Sequence, residues 1–157
     1  GYTYSNDHIY YPDRFGKMLS SGQVISVVAV TKDETPQVMA HNALVLDAPE
    51  EKTAEMGMTF TKDDYQNQGC GRKLGIALIK EAVKKNLLVL WGTAVTSHLF
   101  SQRGVVNAGT KESAILLAAY TEEEQLENFG RQGQRVSAVL SSLKVPLTSH
   151  LHFAKRQ

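Results

Sequence analysis

The chain has 157 residues, of which 21% are charged, and a formal net charge of +1 at pH 7. This length corresponds to about one domain, and the balanced charge provides no polybasic surface for nucleic acid or anionic lipid. The single cysteine, Cys70, excludes an internal disulfide and a cysteine metal cluster. No apolar run approaches the ~18 residues of a membrane span, and none follows a basic segment as a signal peptide would. We therefore expect one cytoplasmic domain over residues 1–157, with a small-molecule ligand and neither nucleic acid nor membrane as partner.

The first third of the chain predicts a short helix and three strands. Pro12 suits the first turn of a helix that Gly22 ends. β-Branched residues and a turn at residues 33–36 then indicate a hairpin, and a charged connection leads to a third strand. The predicted strands are Val24 to Thr31, Gln37 to Leu46 and Ala54 to Thr61.

The remainder predicts two helices and three strands. The helices are Gly71 to Lys85 and His98 to Asn107, and the strands are Leu87 to Val95, Ser113 to Tyr120 and Arg135 to Leu143. The nearly continuous apolar run from Leu87 to Val95 is typical of a strand covered on both faces. Residues 122–129 are acidic and predict a short helix or a loop. The order is α-β-β-β-α-β-α-β-β, an α/β chain.

The junction between the third strand and the following helix is the most informative stretch. A strand that enters a glycine turn and then a helix is typical of a phosphate site, because the first helical amides lack intrahelical acceptors. Neither the P-loop nor the dinucleotide fingerprint fits, because Gly71 is followed by Arg72 and not by a Lys-Ser/Thr pair, and Leu74 stands where a third glycine belongs. The plain alternative is a tight strand-to-helix connection.

The spacing Gln66-x-x-Gly69-x-Gly71 resembles the pyrophosphate-binding motif of the GCN5-related N-acetyltransferases, the GNAT superfamily. The resemblance extends over roughly residues 12–143. It implies a mixed, strongly twisted sheet, flanked by helices and splayed open to hold acetyl-CoA as co-substrate for an amine acceptor. The cofactor-binding residues that it implies are Met58, Thr59, Phe60, Thr61, Gln66, Asn67, Gln68, Gly69, Cys70, Gly71, Arg72, Lys73 and Ser101.

The same resemblance leaves the front end incomplete. The family begins with a strand and a longer helix before the helix at Pro12, and eleven residues cannot hold both. We therefore expect the chain to be the C-terminal part of a longer one. A second subunit, as in a homodimer, or an upstream domain would cover the exposed sheet edge.

Catalytic candidates follow from the same family. Glu55 lies eleven residues before Gln66, the spacing at which the histone-acetyltransferase branch carries a glutamate general base. A solvated residue at the start of a strand is the alternative. Val105 stands where many relatives have a tyrosine that protonates the departing thiolate, so Ser101, His98 or Tyr120 could substitute, or the thiolate leaves unassisted.

Function therefore has more than one interpretation. We expect an acetyl-CoA-dependent N-acetyltransferase, with a catalytically degenerate acyl-CoA sensor or interaction module as the alternative and an unrelated nucleotide binder as a third. No histidine pair has the i, i+4 spacing of a helical metal site, so no metal is expected.

Overall fold

The structure is a computed structural model, and it describes residues 7–97, 99–120 and 135–146. The helices are α1 (Pro12–Ser21), α2 (Cys70–Lys84) and α3 (Leu99–Asn107). The strands are β1 (Val24–Val30), β2 (Val38–Val45), β3 (Thr53–Thr61), β4 (Val89–Val95), β5 (Lys111–Tyr120) and β6 (Val136–Lys144). Short 3-10 turns occupy Asp7–Tyr10 and Asp63–Tyr65. The predicted order of elements is confirmed, and the acidic segment 122–129 lies outside the described residues.

Local sequence explains where the first two helices end. Gly22 follows α1 at φ +76°, and its amide donates to the Leu19 carbonyl at 3.1 Å. Asn86 follows α2 at φ +56°, and the next amide, from Leu87, donates back to the Ala82 carbonyl at 2.9 Å. Glycine and asparagine tolerate this left-handed conformation best, so each helix ends at a residue that can adopt it.

The six strands form one mixed sheet in the order β1-β2-β3-β4-β6-β5. All neighbours are antiparallel except β3 and β4, which run parallel. In the described part of the chain β1 and β5 lie at the two edges. The expectation that a further segment or subunit covers the β1 edge stays a prediction.

The parallel pair is short. β3 and β4 pair only from Thr53 with Val89 to Glu55 with Trp91, while β4 continues to pair with β6 as far as Val95. Beyond Glu55 the two central strands separate, and we call the gap between them the split. A Cβ on Gly92, the first β4 residue past the last pair, would lie 3.1 Å from the Met56 carbonyl oxygen, so glycine permits the close approach at this point.

The two faces of the sheet are covered differently. Helix α2 packs on one face over a core that joins both sides of the parallel pair through Leu44, Leu78 and Leu90. Helix α1 packs on the opposite face of β1 to β3. On β4, Leu90, Gly92 and Ala94 are buried, whereas Trp91, Thr93 and Val95 are only partly buried. The prediction that β4 is covered on both faces is therefore wrong for one of its faces.

No helix within the three described ranges is both long enough and apolar enough to cross a membrane.

Candidate functional site

The stretch Gln66–Gly71, which we call the glycine loop, presents the start of α2. Asn67 and Gly69 both have positive φ, at +59° and +74°, and Gly69 is the N-cap of the helix. The first intrahelical hydrogen bond runs from the Lys73 amide to the Gly69 carbonyl at 3.1 Å. The amides of residues 70–72 therefore point out of the helix end, where an anion could accept from them.

The charges at this helix start are opposite to those that the helix alone favours. The first turn of α2 contains no acidic residue, and Arg72 and Lys73 in it are exposed. Cations beside the positive end of a helix dipole repel it, typically by about 0.3–1 kcal/mol each. A bound anion would turn this repulsion into attraction, so the site is electrostatically complementary to a phosphate group.

The two glycines of the loop differ in whether the fold itself requires glycine at their positions. Gly69 needs its positive φ, which L side chains adopt at a cost. Gly71 has an ordinary helical conformation, and a Cβ built on it would meet nothing within 4 Å. Packing among the described residues therefore does not require glycine at position 71, whereas a ligand lying on the amides would.

The other loop side chains face different surroundings. Gln66 donates from Nε2 to the Asp63 carboxylate at 2.8 Å, and Gln68 donates from Nε2 to the Asp64 carbonyl at 3.1 Å. Cys70 is only 6% exposed and packs with Ala40 and Leu74. Its thiol therefore belongs to the core, so its backbone amide is the group that a ligand could contact, and its cofactor-binding role stays a prediction.

The part of β3 beyond its pairing with β4, residues 56–61, we call the open half of β3. It contains a β-bulge, because Met58 and Thr59 lie opposite Asn42 alone. Met58 is buried, Thr59 and Phe60 are exposed, and Thr61 is partly buried. The predicted residues 58–61 thus follow one wall of the split and lead directly toward the glycine loop.

Asn42 supports the bulge, although it was not among the residues predicted for the site. Its side chain is 4% exposed, and its Oδ1 accepts from the Ala43 amide and from the Thr59 hydroxyl, both at 2.9 Å. Asparagine is depleted in strands. An asparagine in the middle of a predicted strand was therefore the available signal.

Glu55 lies at the closed end of the split, since it is the last β3 residue that pairs with β4. It is partly buried, and burial, followed by the negative charge of Asp47, raises the pKa of its carboxyl group. Both causes disfavour the charged form. A carboxylate with a raised pKa is a stronger proton acceptor, which suits a general base.

The opposite wall consists of β4 and α3, which packs beside it. Ser101 is partly buried in the first turn of α3, whereas His98 lies outside the described residues. Val105 is partly buried, and its carbonyl accepts from the Thr110 hydroxyl at 2.7 Å. The Tyr120 hydroxyl is hydrogen-bonded to the Thr93 hydroxyl of β4 at 2.5 Å, so it belongs to the β4 side of the molecule.

The described residues offer little to a metal. Among residues 7–97, 99–120 and 135–146, no three His, Cys, Asp or Glu side chains gather into a group that could hold a metal ion.

The six-stranded mixed sheet flanked by helices matches the fold of GNAT acetyltransferases of known structure. The resemblance that the loop motif predicts is thus confirmed at the level of the fold. No protein-family model matches the sequence, and no curated protein matches it.

Three solved structures illustrate the likeness. The ribosomal-protein-S18-alanine N-acetyltransferase of Escherichia coli is 20% identical, with a TM-score of 0.64, over 87% of this chain and 81% of that one. A Bacillus subtilis acetyltransferase in complex with CoA is 18% identical, with a TM-score of 0.65, over 92% and 95%. A GNAT family acetyltransferase from Elizabethkingia anophelis with acetyl-CoA bound is 16% identical, with a TM-score of 0.64, over 86% and 84%.

Proposed function

We propose that the chain is an acetyl-CoA-dependent N-acetyltransferase that acts on a primary amine. The observation that carries the proposal is the continuity between the open half of β3 and the outward-pointing amides of residues 70–72. One ligand that is extended at one end and anionic at the other fits both features. Structures of the same fold with CoA and acetyl-CoA bound support this choice.

In the proposed complex the pyrophosphate lies on the amides of Gln68 to Arg72, with Arg72 and Lys73 beside it. The pantetheine arm follows residues 58–61 of β3, and Ser101 contacts it from α3. The thioester then lies toward the closed end of the split, which Glu55 borders. From Glu55 to Thr61 the strand rises about 20 Å, a span that an extended pantetheine arm covers.

The proposed reaction is direct attack of the amine nitrogen on the thioester carbonyl. An amine with a pKa of ~10.4 costs about 4–5 kcal/mol to deprotonate at pH 7, so a base is valuable. Glu55 accepts the proton from the amine as the C–N bond forms, and its raised pKa supports this role. Breaking the C–S bond then releases CoA as a thiolate.

The proton for the departing thiolate has several candidate donors. Val105 has none to give, which leaves Ser101, His98 and Tyr120 as the alternatives named above. A thiolate of pKa ~8.5 can also leave without a proton and take one from water. The Val105 position is the specific observation that favours the second candidate function, an acyl-CoA sensor that binds without turning over.

Titration with acetyl-CoA, followed by an assay of CoA release with a panel of amines, tests the proposal. At a hundredfold excess over its dissociation constant, acetyl-CoA should stabilise the protein by about 2.7 kcal/mol. Equal stabilisation by NADH or ATP would instead support a generic nucleotide binder. Tight binding without turnover of any amine would support the sensor.

A further inference from the structure

The bulge in β3 contains a strained residue. Met58 has φ +53°, in the left-handed region that residues other than glycine rarely adopt. Such conformations persist only where the surroundings hold them, and they concentrate at functional sites. At Met58 the strained residue lies in the open half of β3, three residues past Glu55.

His41, on the neighbouring strand β2, holds the carbonyl of this residue. The His41 Nδ1 lies 2.7 Å from the Met58 carbonyl oxygen, and its Nε2 lies 2.8 Å from the Ser26 hydroxyl oxygen. A carbonyl oxygen only accepts, so Nδ1 carries the hydrogen. In the neutral ring Nε2 then accepts from Ser26, and one tautomer satisfies both contacts.

Two aromatic rings fix the plane of the imidazole. Phe60 stacks on it with ring centroids 5.5 Å apart and an interplanar angle of 17°, and Phe15 of α1 meets it edge-on at 6.4 Å. The ring is thus oriented by three different elements, β1, β3 and α1. This is more support than one strand-to-strand hydrogen bond requires.

We propose that His41 is a positioning residue, which acts through the Met58 carbonyl to set the direction of the peptide between Met58 and Thr59. The inference rests on the proposed function, because that peptide would border the reacting end of acetyl-CoA. The described chain contains no cis peptide, so the Thr59 N–H points opposite to the Met58 carbonyl. Holding the carbonyl on His41 therefore also aims the Thr59 N–H, while Asn42 holds the Thr59 hydroxyl.

A positioning role separates the acyl end of the ligand from its phosphate end. None of the hydrogen bonds and ring contacts described above for His41 involves the glycine loop. Replacing His41 should therefore leave the binding of the CoA phosphates intact. What should change is the geometry around the thioester, where a displacement of about 1 Å can cost about 10²-fold in rate. The expected signature is a loss of kcat with little change in the affinity for CoA.

The experiment compares four variants with the wild-type protein. His41→Ala removes both hydrogen bonds, whereas His41→Gln keeps an amide N–H for Met58 and an amide oxygen for Ser26. Ser26→Ala removes only the partner of Nε2. Val28→Ala is the matched control, since Val28 is the β1 partner of His41 in the register and is 51% exposed.

We expect His41→Ala to lower kcat by about 10- to 10²-fold, with the dissociation constant for CoA within about threefold of wild type. The ratio of acetyl-CoA to CoA affinity should shift as well, since only acetyl-CoA carries the acetyl group whose position beside this peptide would change. His41→Gln should recover most of the loss, Ser26→Ala should give a smaller loss, and Val28→Ala should match wild type. Thermal melts establish that each variant is folded.

Unchanged kcat and unchanged affinity ratio in His41→Ala would overturn the inference while leaving the proposed function intact. A His41→Gln variant no better than His41→Ala, with both folded, would also overturn it. If His41→Ala does not fold, Ser26→Ala and His41→Gln decide by the same kcat and affinity readouts. Wild-type protein that binds neither acetyl-CoA nor CoA would overturn the proposed function and this inference together.

Discussion

Helices α1 and α2 begin in opposite ways. α1 begins with Pro12 at its first position and carries Asp13 in its first turn, a carboxylate that the helix dipole favours. α2 follows the N-cap Gly69, and its first turn has no acidic residue but two cations, Arg72 and Lys73. Neither helix has a side-chain cap on its first amides. The first turn of α1 thus carries a carboxylate of its own, whereas the first turn of α2 carries only cations and would gain a negative charge from a bound anion.

The largest effect should come from a valine in place of Gly71, in the first turn of α2. In Gly71→Val the side chain would cover the outward-pointing amides, and losing two charge-assisted hydrogen bonds at about 1.5 kcal/mol each weakens acetyl-CoA binding by about 10²-fold. Gly16→Val in α1 is the matched control, because a Cβ meets nothing within 4 Å at either position. Calorimetric titration with thermal melts measures both. Undiminished affinity in a folded Gly71→Val protein would refute the anion site.

The carboxylates Asp13 and Glu55 also lie in opposite surroundings. Asp13 lies where a negative charge is favoured, whereas burial and Asp47 disfavour the charge of Glu55. If Glu55 is the base, Glu55→Gln should lower kcat by about 10²-fold at neutral pH with acetyl-CoA affinity retained. The loss should shrink at high pH, where the amine arrives already neutral. Initial rates from pH 6 to 9 check this, with Asp13→Asn expected to leave turnover unchanged.

Charge reversal should move binding and stability in opposite directions at the two helices. Arg72→Glu should weaken acetyl-CoA binding by about tenfold, yet stabilise the ligand-free protein by about 0.3–1 kcal/mol, since the new carboxylate favours the dipole. Asp13→Lys should destabilise by a similar amount and leave affinity unchanged. Urea unfolding and calorimetry at low and high salt measure both. A ligand-free protein that Arg72→Glu destabilises would contradict the comparison.

The smallest effect concerns the pH dependence of stability. The pKa of Glu55 is raised in the folded protein, so the unfolded chain loses this proton first as pH rises. Ionising Glu55 in the folded protein therefore lowers the free energy of unfolding. This loss is absent below the ordinary glutamate pKa of ~4.3 and reaches its full size above the pKa of Glu55 in the folded protein. Glu55→Gln should be more stable than wild type at neutral pH, with no difference at low pH. If Glu55→Gln and the wild type had equal unfolding free energies at both pH values, the raised pKa would be contradicted.

Local sequence patterns were sufficient to predict the helices, the strands and the glycine loop. The helices and strands lie within two residues of their predicted ends, and Gln66, Gly69 and Gly71 predicted a helix start open to an anion. The separation of β3 from β4 was predicted only through the family resemblance. The length over which two strands pair depends on residues far apart in the chain.

Features that depend on distant contacts could not be predicted. The burial of Cys70 follows from β2 lying under the first turn of α2. The left-handed conformation of Met58 and the contacts of His41 with Ser26 and Met58 depend on the register of three strands. The apolar run of β4 predicted two covered faces, because the sequence does not distinguish an apolar residue on a partly covered face from one that lies in a core.

Because the parallel pairing is short, few backbone hydrogen bonds connect the two parts of the sheet. Among the described residues, the ladder between the β1–β3 part and the β4–β6 part is limited to residues 53–55 with 89–91, and the Leu88 and Val89 amides add hydrogen bonds to the Lys52 carbonyl beside it. The core that the two parts share lies on α2 at the closed end of the split. The two parts should therefore exchange their amide hydrogens as separate cooperative units in the empty protein. A ligand that touches both walls would couple them, so slower exchange far from the ligand, along β6, would measure how strongly the cofactor joins the two parts of the sheet.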